Sequence, residues 1–335
     1  MTVGNSAASG WLTMLNRGSA RLRFYDTRTT SNSFRADVLD GLASYPKSIP
    51  PKYFYDARGS QLFDAICLLP EYYPTRTEQQ ILSEHATDIA QCIGQECLFI
   101  ELGSGSSQKV RLLLDVLRPC AYMPLDISKD HLLESAQGVA NDYPWLAVHA
   151  ACCDFSRSFE LPYCPPGAHK VAFFPGSSLG NFEPLDALLL LRRIGKMIGP
   201  RGGLLIGVDL QKAPPVLNAA YNDSEGVTAQ FNLNLLVRIN RELQGNCDVN
   251  QFQHHAFFNT AAARIEMHLI SLCQQSIEVD GYHFRFKKGE TLHTENSYKY
   301  QCKSFQDLAY KAGFCAVAVW TDPQQLFSVH YLVSR

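Results

Sequence analysis

The chain has 335 residues, and its 30 lysines and arginines nearly balance its 32 acidic residues, so the formal net charge is −2. That balance argues against a general nucleic-acid binder, because sequence-independent binding to phosphates needs an excess or a stripe of positive charge. Hydrophobic residues make up 46% of the chain and charged residues 19%, which is typical of a folded globular protein. The length exceeds that of a minimal nucleotide-binding domain and predicts about two domains.

The eleven cysteines are scattered and form no Cys-x-x-Cys pair, which argues against a disulfide framework and against a zinc site. We therefore expect a reduced, cytoplasmic protein with no bound metal. No apolar run approaches the ~20 residues of a membrane span, so no membrane partner is expected. Residues 1–35 contain only a short apolar patch with no basic residue before it, and we interpret them as a loosely ordered leader rather than a signal peptide.

A repeating pattern of strand, turn and helix begins near residue 97. The apolar run at 97–102 leads into a glycine turn and then into an amphipathic stretch at 109–117. Further strands are predicted at 121–126, 146–151, 171–176 and 204–209, and further helices at 129–140 and 184–197. Strands that are apolar on both faces and alternate with helices are typical of a parallel sheet covered on both sides.

Two apolar segments near the C-terminus, 315–320 and 327–333, are close enough in sequence to form an antiparallel hairpin. Five parallel strands and a terminal hairpin are typical of an α/β protein with a class I methyltransferase sheet of Rossmann-like topology. We assign residues 79–212 and 301–335 to this sheet.

About half of the chain lies outside the predicted sheet, in the two pieces 1–78 and 213–300. The second piece contains a helix-like stretch at 226–243 and alternating segments at 264–273, 276–286 and 291–300, which predict strands. Neither piece has the pattern of an independent domain. We therefore expect residues 36–78 and 213–300 to pack together as a discontinuous α+β substrate domain.

The glycine turn carries the first chemical signal. Gly103 and Gly105 lie where the first strand turns into the first helix, which lets a ligand approach the backbone closely. The third glycine of the dinucleotide fingerprint is absent, and this disfavours an NAD-dependent oxidoreductase. Asp126 ends the next strand about 20 residues later, where an acid binds ribose hydroxyls. With Asp154 after the third strand, available to an adenine amino group, the pattern favours S-adenosylmethionine.

Polar residues suited to an amino acid substrate follow the fourth strand and precede the sheet. Asn181 lies in a turn that also contains Gly176, and its amide offers a donor and an acceptor to an amine and a carboxylate. Tyrosine-rich segments at 51–56 and 70–78 carry hydroxyls that we expect to face a polar pocket, although tyrosines usually serve packing.

The segment 292–300 has the alternation of a strand, which puts Glu295 and Ser297 on one face. A carboxylate and a hydroxyl at that spacing can read the two nitrogens of an imidazole. An exposed edge strand would show the same spacing.

Six segments together resemble the histidine-specific methyltransferase family, which has members in ergothioneine biosynthesis. They occur in the family's order over about residues 36–335: LPEYYPTRTE (69–78), FIELGSGSSQK (99–109), FPGSSLGN (174–181), YNDSEGVTAQFN (221–232), RIEM (264–267) and TENSYKY (294–300). The resemblance implies S-adenosylmethionine as the cofactor. It also implies three successive methylations of the α-amine of histidine, which give hercynine.

The resemblance also implies roles for individual residues. The cofactor would be held by Gly103, Lys109, Asp126 at the ribose, and Asp154 with Phe155 at the adenine. The α-carboxylate and amine of the substrate would be held by Tyr72, Asn181 and Tyr221, with Tyr55 beside them. The imidazole would be read by Glu295 and Ser297, with Met267 as a wall of the pocket.

Two positions depart from the family pattern, because Asn296 stands where an apolar residue is expected and Tyr298 where a small one is usual. Strand alternation predicts that both side chains point away from the substrate.

Two alternatives remain open beside a monomeric enzyme that acts on the small molecule L-histidine. The same fold can methylate the amine of another amino acid, such as a histidine thioderivative or a tryptophan derivative. Glu295 and Ser297 favour imidazole over indole, because indole offers only one donor. A non-catalytic binding module is disfavoured by the number of pocket residues that match.

Overall fold

A computed structural model of the protein describes residues 21–26, 33–157 and 160–335. Its helices are α1 (Ser33–Ala43), α2 (Ala57–Leu68), α3 (Tyr73–Glu84), α4 (Ala86–Ile93), α5 (Gln108–Leu117), α6 (Lys129–Asp142), α7 (Pro184–Ile198), α8 (Pro214–Ala220), α9 (Val227–Glu242) and α10 (Cys302–Ala312). Short 3-10 helices span Pro51–Phe54, Ser178–Asn181 and Val249–Gln251.

The strands of the described residues are β1 (Leu22–Asp26), β2 (Lys47–Ser48), β3 (Cys97–Leu102), β4 (Ala121–Asp126), β5 (Ala147–Cys152), β6 (His169–Phe174), β7 (Gly203–Asp209), β8 (Phe252–Asn259), β9 (Arg264–Ser271), β10 (Gln275–Val279), β11 (Tyr282–Phe286), β12 (Thr291–Tyr298), β13 (Phe314–Thr321) and β14 (Phe327–Ser334). The five predicted parallel strands are β3 to β7, and the predicted C-terminal hairpin is β13 and β14.

The main sheet has eight strands in the order β1-β5-β4-β3-β6-β7-β14-β13. Neighbouring strands from β1 to β7 run parallel, whereas β14 is antiparallel to β7 and to β13. The prediction of a class I methyltransferase sheet with a terminal antiparallel hairpin is therefore confirmed. Strand β1 extends it by one strand, and this strand lies within the predicted leader, whose residues 1–20 and 27–32 lie outside the described residues.

Alternate residues of the parallel strands pack on opposite faces of the sheet, as the strand period requires. Along β3, Phe99 joins an apolar cluster with α4, α5 and α6, while Leu98 and Ile100 join a second cluster with α7 and α10. All six residues of β3 are buried. This burial on both faces explains why the strand reads as an apolar run that is interrupted only by Glu101.

A second, four-stranded sheet has the order β2-β12-β9-β8, and β10 and β11 form a separate hairpin. A third apolar cluster contains buried residues from 38–73 together with residues from 217–292. The two pieces of the predicted substrate domain therefore pack against one another, while the exact boundaries stay a prediction.

Two details of this region differ from the sequence prediction. The segment 276–286 is not one strand, because Asp280 and Gly281 have φ of 51° and 79° and form a two-residue turn between β10 and β11. Strand β8 was not predicted. It pairs with β9 along its whole length.

The two sheets meet where the 3-10 helix at 178–181 packs on β12. A Cβ atom at Gly180 would lie 2.7 Å from the carbonyl oxygen of Tyr298, so only glycine allows this approach. The contact brings the carboxyl edge of the main sheet against the strand that carries Glu295 and Ser297.

The eleven cysteines are free thiols, in agreement with the expectation of no disulfide framework. None of the helices in the described ranges is long and apolar enough to cross a membrane.

Candidate active site

A cavity lies where the segment after β6 meets β12 and the helices α2 and α9. All eight residues predicted to bind the substrate line it: Tyr55, Tyr72, Gly176, Asn181, Tyr221, Met267, Glu295 and Ser297. The sequence prediction missed other lining residues: Phe63, Ile66, Ser177, Ser178, Ala220, Thr228 and Phe231. Ser177, Ser178, Thr228 and Phe231 lie within the segments that carry the family resemblance. They were missed as site residues because small and apolar side chains have no recognisable chemistry until the fold surrounds a cavity with them.

Tyrosine rings form one wall of the cavity. The rings of Tyr72 and Tyr221 meet edge to face at 6.1 Å, and Tyr55 packs in the same way on Phe231 at 5.8 Å. Burial raises the pKa of Tyr55 and of Tyr72 well above the ordinary value for tyrosine. Both hydroxyls therefore stay neutral at physiological pH.

Five polar side chains of the cavity have no hydrogen-bond partner among the described residues. They are Tyr55, Tyr72, Asn181, Thr228 and Glu295. Buried polar groups are normally paired within the protein, so this concentration of free groups indicates a site prepared for a polar ligand.

Glu295 and Ser297 face the cavity from β12, as strand alternation predicted. The side chains between and after them turn away: Asn296 and Tyr298 both donate hydrogen bonds to Glu183, at 2.9 and 2.6 Å. The two departures from the family pattern therefore lie outside the cavity. Burial raises the pKa of Glu295 to about 7, and the charge of the nearby Lys299 opposes that rise.

A buried lysine beneath the cavity is a residue that sequence reasoning missed. Lys299 is 3% exposed, and its Nζ lies 2.8 Å from Asp209 Oδ2, 2.8 Å from Ser297 Oγ and 3.1 Å from the Tyr221 hydroxyl. A signal was present, because strand alternation places 295, 297 and 299 on one face. A lysine at a strand end is ordinarily solvent-exposed, however, and burial could not be read from the sequence.

The residues predicted to hold the cofactor, except for Lys109 in α5, lie at the carboxyl ends of β3, β4 and β5. Asp126 accepts hydrogen bonds from the backbone N–H groups of Gly105 and Ser128, at 3.0 and 2.9 Å. A Cβ atom at Gly103 would lie 3.7 Å from the ring of Phe155. The glycine turn, Asp126 and Phe155 are therefore brought together at one edge of the sheet, where such sheets bind ligands.

The glycine turn also contains an unsatisfied polar atom. The hydroxyl of Ser104 is buried and has no hydrogen-bond partner within the described ranges. Gly105 has φ of 50° and nothing within 4 Å of where its Cβ would be. An open backbone turn beside a free hydroxyl and the Asp126 carboxylate fits the ribose and amino acid portions of S-adenosylmethionine.

Asp154 lies just after β5, and its carboxylate is near two cations. Lys52 Nζ is 3.5 Å and Arg157 Nε is 3.6 Å from Asp154 Oδ2. The adjacent ring of Phe155 packs edge to face on Phe174 at 5.7 Å.

Lys109 makes a 2.6 Å ion pair with Glu78, a fully buried residue that was not predicted as part of the site. Burial opposes the charge on Lys109, but Glu78 outweighs it and holds the pKa of Lys109 above its ordinary value. Glu78 also accepts from the backbone N–H of Gly176 at 2.9 Å. The pair thus ties α5, which follows the glycine turn, to the Gly176 turn at the cavity.

Within the described ranges, one cluster has the composition of a metal site. Ligand atoms of Glu266, His268 and His293 lie within 4.8 Å of one another. Glu266 already accepts from Arg264 and Asn259, at 2.8 and 2.9 Å. The register between β12 and β9 shifts between His293 and Glu295, so His293 lies opposite His268 whereas Glu295 lies opposite Met267. This shift separates the cluster from the cavity that Glu295 and Met267 line.

Comparison with known proteins gives close relatives over most of the chain. The histidine N-alpha-methyltransferase of Mycolicibacterium smegmatis is 38% identical over 311 residues, which cover 91% of this chain and 96% of that protein. The protein of the same name from Mycobacterium tuberculosis is 40% identical over 296 residues, 87% of this chain and 91% of that protein. The 4-dimethylallyltryptophan N-methyltransferase easF of Claviceps purpurea is 28% identical over 322 residues, 87% and 92% of the two chains.

Among solved structures, the CcbJ methyltransferase from Streptomyces caelestis matches 76% of this chain and 90% of its own, with a TM-score of 0.45 and 12% identity. The sequence profile of the family described as histidine-specific methyltransferase, SAM-dependent, matches residues 34–334. With this profile match and two relatives near 40% identity over almost the whole chain, the protein belongs to the family of histidine-specific, S-adenosylmethionine-dependent methyltransferases.

Proposed function

We propose that this protein transfers methyl groups from S-adenosylmethionine to the α-amine of L-histidine, three times in succession, with hercynine as the product. The observation that carries the proposal is the single cavity that all eight predicted substrate residues line. The names of the two mycobacterial relatives support the α-amine as the acceptor.

S-adenosylmethionine supplies a methyl group on a sulfonium sulfur that needs no further activation. The residues of this chain therefore have to desolvate a neutral amine and hold it in line, and no strong base is required. The cofactor edge and the cavity are held together by the Lys109–Glu78 ion pair, through the Gly176 backbone. We propose that Gly103, Lys109, Asp126, Asp154 and Phe155 hold the cofactor.

We propose that Tyr72, Asn181 and Tyr221 hold the α-carboxylate and the amine, with Tyr55 beside them. Burial keeps the tyrosine hydroxyls neutral. Three methylations require the amine to turn between transfers and to become a bulkier cation. Neutral hydroxyls and an amide allow that turning better than a protein carboxylate would, because an ion pair with the growing ammonium would hold it more strongly in one orientation.

The proposed imidazole readers are Glu295 and Ser297, with Met267 as an apolar wall. A carboxylate accepts from the ring N–H, and a hydroxyl reaches the second nitrogen. An indole has only one polar ring atom and leaves one of these two groups without a partner. The cavity therefore favours histidine over the tryptophan derivatives on which the Claviceps relative is named to act.

The proposal is tested by incubating the protein with S-adenosylmethionine and a panel of amino acids that includes histidine, its thioderivatives and tryptophan derivatives. We expect histidine to gain the mass of three CH2 units, measured by mass spectrometry. Methylation of another panel member with histidine left unchanged would contradict the proposed substrate. No mass gain on any member would contradict methyl transfer to these amines.

A further inference from the structure

We propose that Lys299 is a positioning residue that holds the hydroxyl groups of Ser297 and Tyr221 in place. The cavity then presents one hydrogen-bond donor beside the acceptor Glu295, and this pair of groups selects a neutral imidazole ring. The inference rests on the proposed function. It deepens that function by naming the form of the ring that the cavity takes and the residue that determines it.

The ammonium group of Lys299 is buried and fully engaged. Its three N–H donors have three acceptors, which are Asp209, Ser297 and Tyr221. Asp209 is itself 0% exposed, and Tyr73 donates to its carboxylate at 2.8 Å. Because every donor has a partner and the carboxylate behind it is held in place, the ammonium has one stable position.

The geometry leaves one hydroxyl hydrogen of the pair for the cavity. Lysine can only donate, so neither Ser297 nor Tyr221 can donate its hydrogen to Lys299. The two hydroxyls bond each other at 2.8 Å, with Tyr221 as the donor, which uses one hydrogen. Ser297 Oγ then accepts from both neighbours, and no third described residue bonds it. The hydrogen of Ser297 is left for a ligand in the cavity that this side chain lines.

Glu295 supplies the complementary group. Its carboxylate has no partner among the described residues and, when ionised, only accepts hydrogen bonds. One acceptor and one donor match a neutral imidazole, which has one N–H and one bare nitrogen. An imidazolium has two N–H groups, so one would face the hydrogen of Ser297. An indole has no bare nitrogen for that hydrogen.

A second lysine on the same carboxylate provides a matched control. Lys212 Nζ lies 2.6 Å from Asp209 Oδ1 and 2.6 Å from the Tyr73 hydroxyl, but it has no contact with Ser297 or Tyr221. If Lys299 served only to neutralise Asp209, replacement of either lysine would have the same consequence for the cavity.

The experiment compares the wild type with Lys299→Met and Lys212→Met. Calorimetry with bound S-adenosylhomocysteine measures the Kd of histidine and of pyrrolylalanine, a ring analogue that keeps the N–H but has C–H in place of the bare nitrogen. We expect the wild type to prefer histidine roughly tenfold, the value of one hydrogen bond. Lys299→Met should bring the ratio of the Kd of pyrrolylalanine to the Kd of histidine close to one, and Lys212→Met should leave this ratio unchanged.

Ser297→Ala removes the donor and keeps Lys299 on Asp209, so it tests the inference even if Lys299→Met does not fold. Its ratio should also fall close to one. The inference is wrong if Lys299→Met or Ser297→Ala keeps the wild-type ratio of the Kd of pyrrolylalanine to the Kd of histidine. It is also wrong if Lys212→Met loses this preference for histidine to the same extent as Lys299→Met. If the wild type neither binds nor methylates histidine, the proposed function itself fails, and that outcome differs from an unchanged ratio in an active enzyme.

Discussion

Glu295 and Asn232 show how a polar residue that is available to bind a ligand differs from a polar residue that stabilises the fold. Asn232 is fully buried, donates to the carbonyl oxygen of His268 at 3.0 Å and accepts from Thr294 at 2.8 Å, so its amide is used up by the protein. Glu295 is almost as buried, yet no described residue bonds its carboxylate. A buried charge without a partner is costly, and a ligand that pairs with it recovers that cost.

Replacement of Glu295 by alanine should therefore raise the KM for histidine by about 10- to 100-fold, because it removes a hydrogen bond to a charged group. The affinity for S-adenosylmethionine should change little. Asn296→Ala is the matched control, since it lies on the opposite face of the same strand, and its KM should stay near that of the wild type. An unchanged KM in Glu295→Ala, measured by initial rates, would refute the assignment to the imidazole.

The raised pKa of Glu295 predicts a pH dependence at the same scale. Its pKa is about 7, with burial as the main cause, so the carboxyl group is increasingly protonated below that pH. The groups that face it are Lys299, Tyr55, Tyr72 and Tyr221. Because the ring N–H needs the ionised form as acceptor, kcat/KM for histidine should fall as the pH drops through about 7.

A pH profile of kcat/KM measures this effect, and Glu295→Gln serves as the control. The α-amine and the imidazole of histidine also titrate, and they give acid limbs of their own in both proteins. Only the contribution of Glu295 near pH 7 should disappear in Glu295→Gln. If the two profiles keep the same shape, Glu295 is not the titrating group.

At the scale of elements, the cavity depends on how closely one turn approaches one strand. The 3-10 helix at 178–181 carries Asn181, and β12 carries Glu295 and Ser297. Gly180 allows these elements to meet, since its Cβ would lie 2.7 Å from the carbonyl oxygen of Tyr298. The spacing between the proposed amine holder and the imidazole readers is thus determined by a backbone contact.

Gly180→Ala should push the turn and β12 apart. We expect a loss of about 1–3 kcal/mol in the free energy of unfolding, the usual cost of overpacking, together with a higher KM for histidine. Gly138→Ala is the control, because it lies in the middle of α6, where its Cβ would approach only the flexible end of Arg111 at 3.3 Å. Urea unfolding and initial rates measure both effects. Wild-type stability and KM in Gly180→Ala would contradict this account of the turn.

At the scale of the whole molecule, the proposed cofactor residues belong to the main sheet and most of the proposed substrate residues to the second sheet and its helices. The cavity lies between these parts, and all eight residues proposed to bind the substrate line it. The oligomeric state expected from the sequence, an active monomer, stays a prediction.

Light scattering coupled to gel filtration should give a mass near the 37.4 kDa of one chain. The specific activity should stay constant as the enzyme is diluted. An activity that falls on dilution, in step with dissociation of a larger species, would contradict the prediction.

The sequence predicted much of this protein because its strongest signals are local. The strands β3 to β7 and their helices follow from periodicity, and alternation along β12 is enough to place Glu295 and Ser297 on one face and Asn296 on the other. The eight predicted substrate residues lie in motifs that the sequence shows directly. Strand β1 was missed because five residues within an irregular leader carry no periodic pattern.

The sequence by itself determined the order of the elements from β3 to β7, the faces of β12 and the residue types of the site. Only the tertiary structure decided that Lys299 and Asp209 meet below the cavity and that Glu78 links Lys109 to the Gly176 turn. Each of these contacts joins residues from different elements that are distant in sequence. Neither periodicity nor spacing encodes such a pairing, because burial of a charge depends on what the rest of the chain packs around it.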